Sequence, residues 1–126
     1  ARARQVVEVV NSGIQPMQCP AVANRARETA DERTAWSRFF NARGLAAVER
    51  LLELIAGEQT GPGRFCVGDR LTAADICLVT QVWSARRFGA DLSDMPRVLA
   101  VEAAALATEH AARAHPEHQL GAPAKS

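Results

Sequence analysis

The stretch "GDRLTAADICLVTQVWSARRFG", Gly68 to Gly89, decides the fold class. Gly68 and Asp69 read as a turn. Thr72 then stands where a helix N-cap would, its hydroxyl placed to accept a free backbone N–H of the first turn. Asp75 follows three residues later, the N3 position from which a carboxylate reaches back to the N-cap N–H. That is a capping box with aspartate in the acid's place. Leu71 and Ile76 occupy the two positions of a hydrophobic staple. An acid in the first turn is also favoured by the helix dipole. The run beyond predicts a buried helix with Ile76, Val79, Val82 and Trp83 toward the core. It closes on Arg86 and Arg87, cations suited to a helix C-terminus. Adjacent helical side chains point about 100° apart, so at most one of the two faces a given cleft.

Moving outward, no other segment carries a strand pattern, and alanine, arginine, leucine and glutamate dominate. A first helix is predicted over Arg2 to Asn11, with Val6, Val7, Val9 and Val10 apolar. "GIQPMQCP" then reads as a kink or break, because Pro16 and Pro20 lack backbone donors. A second helix is predicted over Asp31 to Ala56, its stripe formed by Trp36, Phe40, Ala47, Leu51 and Ile55 and widened by Phe39, Val48, Leu52 and Leu54. "GEQTGPG" is a loop. A last helix starts at Pro96, a favoured first-turn residue, carries Val98, Leu99, Val101 and Leu106, and fades before His115. "GAPAKS" reads as a flexible tail. Four main helices make an all-α bundle.

The chain has 126 residues, 48% of them apolar, which fits one domain able to bury a core. Fifteen basic and 14 acidic residues are intermixed for a net charge of +1, so nothing argues for nucleic acid or an anionic membrane. No apolar run is long enough for a membrane span. "ARARQVVEVV" is basic then apolar, but Glu8 interrupts it, and it reads as a helix start rather than a signal peptide. Cys19, Cys66 and Cys77 form no CxxC pair and lie far in sequence from His110, His115 and His118. That excludes a zinc pattern and a disulfide framework, and reduced thiols in the cytoplasm are the simplest reading. The chain starts at Ala1 rather than Met, which suggests a piece of a longer protein.

"GRFCVGDRLTAADICLVTQVWSARRFGADLSDMP" strongly resembles the C-terminal helical domain of zeta-class glutathione transferases, the maleylacetoacetate and maleylpyruvate isomerases. "GIQPMQC", "FFNARGLAAVERLL" and "AHPEHQ" are similar to further segments of that family, so the likeness spans about Arg2 to Gln119. The resemblance implies a helical domain over residues 1–119, a tail over 120–126, and a glutathione-binding thioredoxin-like first domain of which this chain contains nothing.

The same resemblance implies site roles. Gln15 matches a glutamine that contacts glutathione. Arg87 matches an arginine that binds a substrate carboxylate, a task for which a guanidinium fork is suited. Cys19, Pro20 and Ala21 depart from the family pattern, Cys19 standing in place of an asparagine amide. Thr72 and Asp75 match a capping motif, so their role is structural. No catalytic residue and no metal ligand is assigned; Trp36, Phe39, Trp83 and Phe88 are expected in the core. The implied activity is glutathione-dependent cis–trans isomerisation of maleylacetoacetate or maleylpyruvate by a homodimer. This chain walls the pocket and holds a dicarboxylate, and is inactive alone. The alternative is a transferase-like helical module for protein–protein interaction without catalysis.

Overall fold

A computed structural model describes residues 1–59 and 63–122. Its α-helices are α1 (Arg2–Gly13), α2 (Gln15–Gln18), α3 (Pro20–Ala26), α4 (Ala30–Glu58), α5 (Ala73–Arg87), α6 (Pro96–Leu106) and α7 (Glu109–Ala114), with a 3-10 turn at Pro116–His118. The described residues contain no strand, and the all-α expectation holds. The centre of the "GEQTGPG" loop and the last four residues of the expected tail lie outside the described residues.

More helices form than the four expected, because capping signals restart the chain. Cys19 is extended, with φ −56° and ψ 128°, and Pro20 then begins α3. At α4 a full capping box forms: the Glu32 N–H donates to Thr29 Oγ1 at 3.2 Å and the Thr29 N–H to Glu32 Oε2 at 3.0 Å. The last helix breaks at Ala107, and Thr108 caps α7 by accepting the Ala111 N–H.

Helix α5 is the central element, packed on α1, α4 and α6. At its start Asp75 takes the acid's part of the capping box, while the Thr72 hydroxyl donates to that carboxylate and the Asp75 N–H bonds the Thr72 carbonyl oxygen at 3.2 Å. Asp75 Oδ2 accepts the Thr72 N–H at 2.7 Å and the Thr72 hydroxyl at 2.9 Å, while Oδ1 accepts the Cys66 N–H at 2.7 Å. The carboxylate is fully buried, and three donors compensate its lost water. At the far end Gly89 takes φ +74°. The Ala90 N–H bonds Ala85 O at 2.9 Å and the Gly89 N–H bonds Arg86 O at 3.0 Å, a Schellman closure that glycine's missing Cβ permits.

The core gathers Val6, Val10 and Ile14 with Leu45, Val48 and Leu52 of α4, Leu78 and Val82 of α5, and Val98 of α6. Two helix faces are rotated from their predicted setting. On α5 the buried face is Ala74, Asp75, Leu78, Gln81, Val82 and Ala85; Ile76 is 44% exposed, and Val79 and Trp83 are only part-buried. On α4 the buried face includes Ser37, Asn41 and Gly44, while Phe39 is 59% and Leu54 62% exposed. In both cases buried polar side chains satisfy one another, and this turns a polar residue inward where hydropathy alone points it out. Gly44 marks the closest crossing: a Cβ there would overlap the fully buried Ile14 side chain.

Candidate functional site

Pro16 sets the first turn of α2 and Pro20 that of α3, so the chain bends twice where α1 ends. The bends carry Gln15, Gln18 and Cys19 to the C-terminal end of α5. There they line an open cleft of about 650 Å³ together with Thr34, Arg87 and Phe88. Gln15 and Arg87, 72 residues apart in sequence (87 − 15), thus share one site.

The two arginines differ sharply. Arg86 makes a bidentate pair with Glu102 of α6, through Nη1 to Oε1 and through Nη2 to Oε2 at 2.7 Å. Glu102 is buried, and its hydrogen bonds hold the Arg86 guanidinium above its ordinary pKa. Arg86 therefore ties α5 to α6. Arg87 has no ion-pair partner among the described residues. Its guanidinium lies 4.8 Å over the Trp83 ring, a stacking that holds the fork in place without neutralising it. The cleft therefore contains an uncompensated, oriented cation able to meet a carboxylate.

Behind the cleft Gln15 joins a set of side-chain amides whose other members, Gln18, Asn41 and Gln81, sequence reading missed. Gln15 Nε2 donates to Gln81 Oε1 at 2.6 Å, and Gln81 Nε2 donates to Gln18 Oε1 at 3.0 Å and Asn41 Oδ1 at 2.5 Å. Asn41 Nδ2 donates to Gln18 Oε1 at 2.9 Å and to Ser37 O at 2.8 Å. Gln81 and Asn41 are fully buried. The available signal was an amide inside each of two apolar runs, "FFNARGLAA" and "CLVTQVW".

The thiols differ in setting. Cys19 is exposed at the cleft edge. Cys66 is buried, and burial, with the Asp75 carboxylate beside it, pushes its thiol pKa far above the usual range; it is not a nucleophile. The aromatic residues expected in the core sit at its margins. Phe88 lines the cleft. Trp36 donates its indole N–H to Met17 O at 2.7 Å under the Arg27 guanidinium. Trp83, Ile76 and Val79 line an apolar groove of about 250 Å³ against Ala111 and Pro116. Among the described residues no helix is long and apolar enough to cross a membrane, and no cluster of potential metal ligands occurs.

The family profile described as "Glutathione S-transferase, C-terminal domain" matches residues 23–106. Probable maleylacetoacetate isomerase 2 of Drosophila melanogaster is 37% identical over 123 residues, 98% of this chain and 51% of its own length. The crystal structure of maleylacetoacetate isomerase from Anaeromyxobacter dehalogenans 2CP-1 is 44% identical with a TM-score of 0.86, over 98% of this chain and 54% of that one. That protein carries dicarboxyethyl glutathione and citrate in its active site. The holo structure of a maleylpyruvate isomerase, a bacterial zeta-class glutathione S-transferase, matches at 32% identity and TM-score 0.87 over 97% of this chain and 57% of that one. The chain thus spans about half the length of these relatives.

Proposed function

The chain belongs to the glutathione S-transferase C-terminal domain family and is similar to zeta-class isomerases, and from that premise we propose that it forms the substrate-pocket domain of a glutathione-dependent cis–trans isomerase. The substrate class is a maleyl dicarboxylate such as maleylacetoacetate or maleylpyruvate. One observation carries the reading: Arg87, stacked but unpaired, faces the same cleft as Gln15 and Gln18.

The residues present fit glutathione, a tripeptide that needs amide partners, because Gln15 and Gln18 offer amides at the cleft. Bound glutathione supplies the thiol on which the isomerisation depends. Gln15 holds its peptide portion and Arg87 holds a substrate carboxylate. Phe88 gives the cleft an apolar wall, which strengthens the Arg87 interaction by limiting water. No side chain here is assigned the chemical step; the domain contributes binding and orientation. Residues 1–119 act as this helical domain, paired with a thioredoxin-like domain, in a homodimer in the cytoplasm.

The test compares glutathione-dependent isomerisation by the complete native polypeptide and by residues 1–126 alone. Turnover by the first and none by the second is expected. Turnover by the short chain well above the uncatalysed thiol reaction, or none by the complete polypeptide, overturns the reading. A second reading, a non-catalytic helical module that binds another protein, draws on the apolar groove beside Trp83. It predicts a complete polypeptide without isomerase activity.

A further inference from the structure

Gln81 has no exposed surface and lines no part of the cleft, yet its side chain bonds three other amides. The direction of every bond in the set follows from one of them. The Ser37 carbonyl oxygen can only accept, so Asn41 must turn Nδ2 toward it, at 2.8 Å, and its Oδ1 toward Gln81. Gln81 must then present Nε2 to Asn41, and the second Nε2 hydrogen goes to Gln18 Oε1. That leaves Gln81 Oε1 for Gln15 Nε2. All four N–H bonds of Asn41 and Gln81 are now used within the network. What remains for the cleft is fixed by exclusion: Oε1 and one N–H of Gln15, and both N–H groups of Gln18.

We propose that Gln81 is a positioning residue for ligand binding. Without touching the ligand, it sets the polarity of the Gln15 and Gln18 amides, so that the cleft offers an acceptor at Gln15, donors at Gln18 and a cation at Arg87. This rests on the proposed glutathione-dependent function and deepens it. The pattern suits a peptide-like ligand with an N–H for Gln15, a carbonyl or carboxylate oxygen for Gln18, and a carboxylate for Arg87.

Two substitutions separate these roles. Gln81→Glu keeps the shape but cannot donate, so Gln18 Oε1 keeps only its bond from Asn41 Nδ2 and loses the second anchor that fixes the Gln18 amide, while Asn41 Oδ1 is left facing a carboxylate oxygen. Gln18→Glu keeps every internal bond, since one carboxylate oxygen still accepts from Gln81 and Asn41, and replaces only the outward donor. Side-chain amide resonances of Gln15 and Gln18 are followed by NMR in the 126-residue chain, and glutathione affinity by calorimetry in the complete polypeptide. In Gln81→Glu the Gln18 amide resonances are expected to shift and broaden as the side chain loses one of its two anchors. Both variants should weaken glutathione binding by tenfold or more. Unchanged Gln18 resonances, or unchanged affinity alongside a lowered Tm, overturn the positioning role. Should Gln81→Glu fail to fold, wild-type affinity in Gln18→Glu alone overturns the assigned donor. Absence of glutathione binding by the complete wild-type polypeptide instead sinks the functional reading; the NMR result still decides the polarity of the network.

Discussion

Asp75 Oδ1 accepts the backbone N–H of Cys66 at 2.7 Å, so the carboxylate that caps α5 also pins the loop leading into it. Asp75→Ala leaves the Cys66 and Thr72 N–H groups without their acceptor, at about 1–3 kcal/mol for each buried donor. Thr72→Ala removes one cap hydroxyl and should cost about 1 kcal/mol. Denaturant midpoints are expected to fall further for Asp75→Ala than for Thr72→Ala. A thiol reagent gives a second readout. Cys66 is protected by burial in the native chain and should become reactive in Asp75→Ala while Cys19 labels at its usual rate. Equal midpoints would refute the shared-acceptor role.

The Arg86–Glu102 pair makes Arg86 a stability residue. Glu102 is 6% exposed, and Arg86→Ala strands its carboxylate. A fully buried stranded charge costs about 3–5 kcal/mol; here the Arg86 side chain is half-exposed and water screens the site, so about 1–2 kcal/mol is expected. Adding Glu102→Gln should recover part of the loss, because a neutral amide is cheaper to bury unpaired. Arg87→Ala, which breaks only a ring stacking, should leave Tm nearly unchanged. Thermal melts of the three variants check the order.

Gly44 and Gly57 both lie in α4, and replacing each with alanine should have opposite effects. Helix propensity favours alanine by up to about 1 kcal/mol at either site. At Gly57 nothing lies within 4 Å of the added methyl group, so Gly57→Ala should stabilise. At Gly44 the methyl overlaps the Ile14 side chain, which is fully buried and has nowhere to go. Overpacking of about 1–3 kcal/mol outweighs the propensity gain, and Gly44→Ala should destabilise. Stabilisation at both sites would disprove the close crossing of α4 with the end of α1.

The Glu32 carboxylate has its pKa lowered, first by the Thr29 backbone N–H and then by the Thr29 side chain. A depressed carboxylate stabilises the fold above its unfolded pKa, and that contribution is lost as pH falls through the lower folded value. The unfolded value is about 4.3, so the loss lies at and below that pH. Glu32→Gln should flatten this part of the acid stability profile by lowering stability on the neutral side, the two proteins converging as pH falls through the folded value. An identical acid limb in both proteins would show that the box adds no pH dependence.

How much of this was legible in sequence depended on whether the signal was local. The cap at Thr72 and Asp75 needs only two side chains and their own backbone; the Asp75 carboxylate reaches back to the Thr72 N–H, and the Thr72 hydroxyl donates to it instead of accepting a backbone N–H. Thr29 and Glu32 carry the same spacing, yet the sequence reading starts that helix at Asp31, one residue after its observed start at Ala30, because no apolar run follows them directly. The faces of α4 and α5 were misplaced for a different reason. Hydropathy assigns Asn41 and Gln81 to solvent, and only partners 40 residues apart make their burial tolerable. Glu49 is of the same kind: it accepts the Val98 N–H at 2.8 Å and caps α6 from another helix. Of the site, Gln15 and Arg87 came from family likeness. That they share a cleft depends on two proline-started turns whose geometry no periodicity encodes.

Arg87 carries the sharpest functional expectation. A dicarboxylate that enters the cleft loses water, and only a cation with its fork unoccupied compensates that loss. Arg87 is such a cation and Arg86 is not, since Glu102 already fills its fork. In the complete polypeptide, Arg87→Ala should raise KM for a maleyl dicarboxylate by the equivalent of about 1.5–3 kcal/mol, the range for a hydrogen bond to a charged group. Arg87→Lys should restore part of this, because an ammonium lacks the bidentate geometry. Turnover of an uncharged thiol acceptor should barely change. Arg86→Ala must be compared at a temperature where it remains folded, and there it should affect charged and neutral substrates alike. The 126-residue chain offers a test that needs no turnover. Cys19 borders the same cleft as Arg87, so anionic iodoacetate should gain on neutral iodoacetamide at Cys19 in the wild type and lose that advantage in Arg87→Ala. An unchanged ratio, together with equal losses for charged and neutral substrates, would reduce Arg87 to an ordinary solvated helix end.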